Sequence, residues 1–329
     1  GTRGVLQELK DLLAREELAP VAGGGYLYRE RLLLIPAVEV ETKEPTGSRG
    51  VSHWIGYYPS LELLEEFVGH LQRMVSNPDL SSQQCHRSAR EIVALITATG
   101  GRPVPAHAFT PHKGVYGSVT TSLAELLGDE FGHVQVLELG LSADTGLADQ
   151  IPDNHRLAYI SNSDAHSTAR IAREHNALLL ERLNFQEVWW ALSGEGGRAV
   201  VANYGLDPRL GKYHRTYCLD CAAPVPVPPP ATSCPRCGGR RVVVGVLDRI
   251  LTVAAEREGE VAPSPPPARP PYYYQIPLEF IPGVGPRTLE RLIGEFGSEM
   301  AVLHTVDAAD LMESARITVV LVVDADQRL

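Results

Sequence analysis

Two Cys-x-x-Cys pairs constrain this chain more than any other feature. Cys218 and Cys221 form the first pair, and after a gap of twelve residues Cys234 and Cys237 form the second. Four thiolates at this spacing make a closed tetrahedral site, the ligand set of a structural Zn2+. Small residues follow the second pair in CPRCGG and let backbone N–H groups turn toward sulfur. Four free cysteines in a turn-rich segment are the weaker reading. The fifth cysteine, Cys85, has no motif around it and reads as a small buried side chain.

A chain of 329 residues predicts two or three domains. Residues 1–204 alternate apolar runs at 32–40, 102–109, 134–141 and 157–164, read as strands, with amphipathic helices. In the helix over 61–75, Leu64, Phe67, Val68 and Leu71 fall at helical spacing, and the helix over 85–100 stops at Gly100-Gly101. Strand, helix, strand in this order predicts an α/β domain with a mostly parallel sheet or barrel. Residues 205–250 form the Cys module. Residues 251–271 make a Pro-rich linker, extended and exposed around GEVAPSPPPARPP. Residues 272–329 are read as a helical region. Trp189 and Trp190 are expected in the core, and Tyr272, Tyr273 and Tyr274 are expected to pack the end of the linker onto a neighbouring domain.

Charge is uneven. The whole chain carries −10, yet residues 205–250 hold seven Lys/Arg against three Asp/Glu. Arg236, Arg240, Arg241 and Arg249, with Lys212 and Arg215, are candidates to meet phosphates; the alternative is that they balance the acidic first domain. No apolar run reaches the length of a membrane helix, and no membrane partner or signal peptide is expected, which points to the cytoplasm. The chain starts GTRGVLQELK without an initiator Met, and upstream sequence is expected to precede it.

Four strand ends of the first domain each offer a metal-ligand type: Glu39 in IPAVEVE, His53 in VSHWIGYYPS, His107 in VPAHAFTPHKG, and Asp164 with His166 in ISNSDAHS. Imidazole and carboxylate together suit a catalytic zinc, manganese or iron. Asp164 and His166 are two apart, so an extended strand end would aim both to one side. The bland reading of the same string is an Asx turn with Ser163 or Asp164 capping a helix. After His107, His112 and Lys113 follow on a loop, where Lys113 could touch a phosphate. Further on, IPGVGPRTLERLIGEFG reads as two helices about a tight turn. Gly283 and Gly285 permit that turn, backbone N–H groups at the next helix start can hold a phosphate, and Arg287 is the nearest cation. An ordinary helical turn with Pro286 at the first helical position is the alternative.

The ordered ligand types resemble the PHP domain (polymerase and histidinol phosphatase). The strings ELGLSADT, ISNSDAHS and KYHRTYC, followed by the Cys module and the glycine turn, narrow the resemblance to the endonuclease Q family. What this implies for the fold is a PHP-type distorted (β/α)7 barrel, incomplete at its N-terminus, with a small zinc-ribbon-like module and an α-helical helix-hairpin-helix region. It also implies that Glu39, His53, His107, Asp164 and His166 match catalytic ligand positions for divalent Zn2+, Mn2+ or Mg2+. Glu138, Ser142 and Asp144 in ELGLSADT would read a flipped base or cap a helix. The implied activity is metal-dependent cleavage of DNA on the 5′ side of uracil, hypoxanthine, xanthine or an abasic site. DNA is then the partner, with replication or repair proteins as further expected partners. PHP domains open with His-x-His, which this chain lacks. The expectation is that an upstream part carries it or that the protein does not cut. The alternatives are a PHP phosphatase acting on a small phosphomonoester and a damaged-DNA-binding protein without cleavage.

Overall fold

The computed structural model describes residues 2–44, 50–76, 84–167, 170–257, 265–275, 277–278 and 284–296. Helix α1 (Thr2–Ala14) leads into an antiparallel meander of β1 (Leu18–Pro20), β2 (Tyr26–Tyr28) and β3 (Leu32–Leu34). The apolar run 32–40 was expected as one strand, but it is two. Pro36 has no N–H to give a ladder, so the chain breaks there and resumes as β4 (Ala37–Lys43).

Strand β4 pairs antiparallel with β5 (Val51–Tyr57), which sets Glu41 opposite His53. Helix α2 (Leu61–Leu71) is capped by Ser60 and buries Leu61, Leu64, Phe67 and Val68. Helix α3 (Ala89–Ala98) starts at a capping box of Ser88 and Glu91, four residues later than the expected 85. Cys85 is not helical; its N–H donates to the carbonyl of Glu41 at 2.7 Å and its side chain is fully buried. The helix ends ahead of Gly100, which sits at φ 76°. Strand β6 (Arg102–Pro105) then pairs antiparallel with β5.

Beyond α4 (Leu123–Leu127), strand β7 (Val136–Glu138), the short helix α5 (Thr145–Ala148) and β8 (Ala158–Ile160) follow, and β7 and β8 are parallel. Strand β9 (His175–Leu179), helix α6 (Phe185–Ser193) and β10 (Ala199–Leu206) complete the region, with β9 and β10 antiparallel. Trp189 of α6 is buried and Trp190 is half-buried. The fold is mixed α/β, and among the described residues its sheets are more antiparallel than the expected mostly parallel arrangement. Between β4 and β5 only a short connection intervenes, and a short connection joins antiparallel neighbours.

The Cys module holds three two-residue strands, β11 (Tyr217–Cys218), β12 (Ala223–Pro224) and β13 (Val242–Val243), in the order β12-β11-β13. Its own core is Cys218, Val225, Ala231 and Cys234. Helix α7 (Val246–Arg257) crosses the expected boundary at 250 and takes the first seven residues assigned to the linker. Val246, Ile250 and Val253 join the main core with Trp54, Phe67, Ile92 and Leu137, so burial of an apolar helix face decided that boundary. Further along the proposed linker, Arg269 is anchored rather than free. It pairs with Asp149 at 2.9 Å and stacks 3.8 Å from the centre of the Tyr159 ring. Tyr272 to Gln275, expected in the helical region, form strand β14 (Tyr272–Gln275), parallel to β10. The aromatic run therefore seats the end of the linker on the first domain. Helix α8 (Pro286–Phe296) follows with Pro286 at its first position. Among the described residues no helix is long and apolar enough to cross a membrane.

Candidate metal centre

Glu39 and Glu41 alternate with buried valines along β4, so both carboxylates leave the same face of the strand. His53 on β5 reaches them both. Its Nδ1 bonds to Glu39 Oε1, and its Nε2 lies 3.0 Å from Glu41 Oε2. His107 follows β6 and places its Nε2 3.5 Å from Glu39 Oε1, with its ring centre 5.0 Å from that of His53. One ligand atom from each of Glu39, His53 and His107 lies within 4.8 Å of the others.

His107 is held in an uncommon backbone state, at φ 31°. Conformations of this kind cost about 1–3 kcal/mol and persist where the surroundings fix them. Two contacts do so here. The buried carboxylate of Glu138 accepts the His107 N–H at 2.7 Å, and Gly140, at φ 66°, leaves room for it. A Cβ at Gly140 would lie 2.7 Å from His107 Cβ. Glu138 is in turn bonded by Asn162 Nδ2 at 2.8 Å, and Asn162 also contacts Asn176.

The electrostatics follow from this packing. Burial pushes the Glu39 carboxyl up, but hydrogen bonds from His107 and His53 outweigh it and hold the group well below the usual carboxylate range. Burial pulls His107 down, and the Glu39 hydrogen bond and charge override it, so the imidazole is raised. Glu138 is raised by its burial, against the bonds from His107 and Asn162. Two imidazoles and a carboxylate about one point, with a proton shared where a cation would sit, fit a divalent metal.

Asp164 and His166 stand apart from this cluster. Strand β8 ends at Ile160, and Asp164 sits at φ 44°, so the expected strand-end alternation does not apply. The Asp164 charge still reaches His107 and contributes to its raised pKa. His166 is 86% exposed and donates from Nδ1 to the Asp164 carbonyl at 2.8 Å. In ELGLSADT, Asp144 caps α5 through the Leu147 N–H and accepts the Tyr274 hydroxyl at 2.7 Å, while Ser142 is half-buried nearby. Lys113 is exposed and lies 3.4 Å from Glu41. His112 meets the edge of the Tyr213 ring instead of the cluster. Gly285 and Arg287 are exposed at the start of α8, and Gly283 lies outside the described residues.

Glu41, Asn162 and Asn176 were not among the expected site residues. The alternation in VEVE was a readable signal for Glu41; the amides had none, because their partners come from distant strands.

In the Cys module, Cys218 Sγ and Cys237 Sγ are 3.6 Å apart, and Cys221 Sγ and Cys234 Sγ 3.9 Å. All four sulfurs fall within 4.8 Å of one another. A tetrahedron with bonds of about 2.3 Å has edges of about 3.8 Å. The four cysteines are thus placed to bind one metal ion. Several of the module's cations are committed internally. Arg215 pairs with buried Asp248, Arg241 with Asp220, and Arg249 donates to the carbonyls of Tyr116 and Thr120. Lys212, Arg236 and Arg240 remain exposed.

No family model matches the chain. The uncharacterized protein YqxK of Bacillus subtilis is 38% identical over 308 residues, spanning 93% of this chain and 76% of that protein. Among solved structures, the lesion-specific endonuclease PfuEndoQ of Pyrococcus furiosus superposes with a TM-score of 0.73 at 32% identity, covering 93% of this chain and 76% of that one. An endonuclease Q complex with a 27-mer duplex bearing an abasic lesion at its active site matches with the same TM-score and identity, over 93% of this chain and 77% of that one. The mixed α/β fold is therefore that of a class of DNA endonucleases. Within that class, the chain belongs to the endonuclease Q family.

Proposed function

We propose that this protein is a metal-dependent DNA repair endonuclease that hydrolyses the phosphodiester 5′ to a deaminated base or an abasic site. The observation that carries the reading is the Glu39–His53–His107 cluster, in which Glu39 and His53 lie within β4 and β5, not at their ends as expected, and His107 follows β6, in a chain of this family. Ligand types carried on β4 and β5 and just after β6, in a chain of this family, support a PHP-type barrel. Glu39, His53 and His107 would hold the divalent metal, with Asp164 and His166 joining from their exposed loop. When bound, the metal supplies Lewis acidity toward water and the phosphoryl oxygens. The chain's own residues do the rest. Glu138 fixes the position of His107. Lys113, exposed beside the cluster, offers a cation to the scissile phosphate. The start of α8, with Gly285 and Arg287, holds the DNA backbone without reading sequence.

We assign a structural Zn2+ to Cys218, Cys221, Cys234 and Cys237, on the sulfur spacing. Lys212, Arg236 and Arg240 then present positive charge to DNA. Glu138, Ser142 and Asp144 border the place where a flipped base would be read; a base leaves the stack at a cost of a few kcal/mol, least when poorly paired.

The test is nicking of a labelled duplex carrying one deoxyuridine, one deoxyinosine or one abasic site, with manganese, with and without chelator. A single nick 5′ to the lesion, abolished by chelator and by His107→Ala, is expected. Lesion-selective binding without a nick would replace the enzyme by a damaged-DNA-binding protein. Hydrolysis of p-nitrophenyl phosphate without DNA binding would replace it by a small-molecule phosphatase.

A further inference from the structure

The two ring nitrogens of His53 face two different carboxylates. Nδ1 faces Glu39 and the metal cluster, while Nε2 lies 3.0 Å from Glu41 Oε2 on the far side. With the proton on Nε2 and donated to Glu41, the Nδ1 lone pair points into the space shared by Glu39 and His107. A carboxylate behind a metal-binding imidazole sets its tautomer, fixes the ring plane and strengthens it as a ligand.

Glu41 is itself held firmly enough to do this. Gln84 Nε2 donates to its Oε1 at 3.2 Å, and Lys113 Nζ lies 3.4 Å from its Oε2. The Cys85 N–H pins its carbonyl at 2.7 Å. Its side chain is only 15% exposed, so this is not a solvated surface carboxylate. His107 has no equivalent support, since its Nδ1 is buried without a hydrogen-bond partner among the described residues. Ring orientation at the cluster therefore depends unequally on the two histidines.

We propose that Glu41 is a positioning residue that orients His53 from outside the ligand set and so raises the affinity of the cluster for a divalent cation. This rests on the reading of Glu39, His53 and His107 as a metal centre.

The experiment is Mn2+ binding to the full chain, with the four-cysteine site loaded with zinc and free Mn2+ followed by electron paramagnetic resonance. Wild type is compared with Glu41→Ala, Glu41→Gln and His53→Ala, and each variant is melted in parallel. Loss of the hydrogen-bond partner behind a metal-binding imidazole weakens metal binding by about 10- to 100-fold, and that loss is expected for Glu41→Ala at an unchanged melting midpoint. Glu41→Gln should fall between it and wild type, because the amide oxygen still accepts the Nε2–H. If Glu41→Ala binds like wild type while His53→Ala does not, Glu41 has no positioning role and the metal centre stands. If wild type binds no Mn2+, both readings fall. Equal loss in Glu41→Ala and Glu41→Gln with a lowered melting midpoint would assign Glu41 to the fold and overturn the proposal.

Discussion

The backbone N–H of His107 donates to the carboxylate of Glu138 at 2.7 Å, and this bond joins the end of β6 to the end of β7. It holds a histidine at φ 31° that would relax elsewhere without it. Glu138→Gln puts an amide donor where two donors converge, from His107 and Asn162. Leaving a buried donor unsatisfied costs about 1–3 kcal/mol. The variant should melt at lower urea and lose manganese-dependent nicking by at least about tenfold. Urea titration and a nicking time course check the two effects separately.

Gly140→Ala should act on the same histidine from the other side. The new methyl group would lie 2.7 Å from His107 Cβ, on a residue at φ 66°. Left-handed backbone costs a non-glycine residue about 1–2 kcal/mol before any clash. A loss of about 2–3 kcal/mol in denaturant stability, together with weaker Mn2+ binding, is the expected outcome.

Zinc removal should be felt beyond the Cys module. Asp248 of α7 is fully buried, accepts the N–H groups of Thr216 and Ala231, and sits on the helix that enters the main core. Native mass spectrometry should find one zinc per chain. Stripping it, or replacing Cys234 by Ser, should lower the melting temperature of the whole protein and not of a detached fragment.

Arg269 ties the linker to Asp149, Leu157 and Asn154, with its ion pair largely buried. Removing one partner of a buried pair costs about 3–5 kcal/mol. Arg269→Ala should therefore destabilise the fold by about 3 kcal/mol and open residues 265–271 to limited proteolysis, read on a gel.

Glu174 gives the protein a pH signature. Burial, only partly offset by Arg173, raises its pKa from 4.5 to about 7. Between pH 4.5 and 7 the folded state holds a proton that the unfolded state has released, so stability falls as pH rises through this window and levels off above it. Glu174→Gln should be flatter across that range in urea melts. A slope equal to wild type would remove Glu174 as its source.

What depends on near neighbours could be read from the residues alone. The spacing of Cys218, Cys221, Cys234 and Cys237 fixed a four-sulfur site, because a short loop between two knuckles leaves the sulfurs little else to do. The apolar period of α2 and α3 was legible in the same way, as was the presence of ligand-type residues in the strings around Glu39, His53 and His107. Which of those residues meet was set by the packing of distant segments. Glu39, His53 and His107 converge because β4, β5 and β6 are neighbours, whereas Asp164 and His166 lie on the segment that abandons strand geometry after Ile160. The capture of α7 by the main core and the strand made by Tyr272 to Gln275 were likewise invisible in advance. Each depends on pairing between segments far apart in the chain, where hydrogen-bond ladders and burial of apolar faces outweigh local pattern.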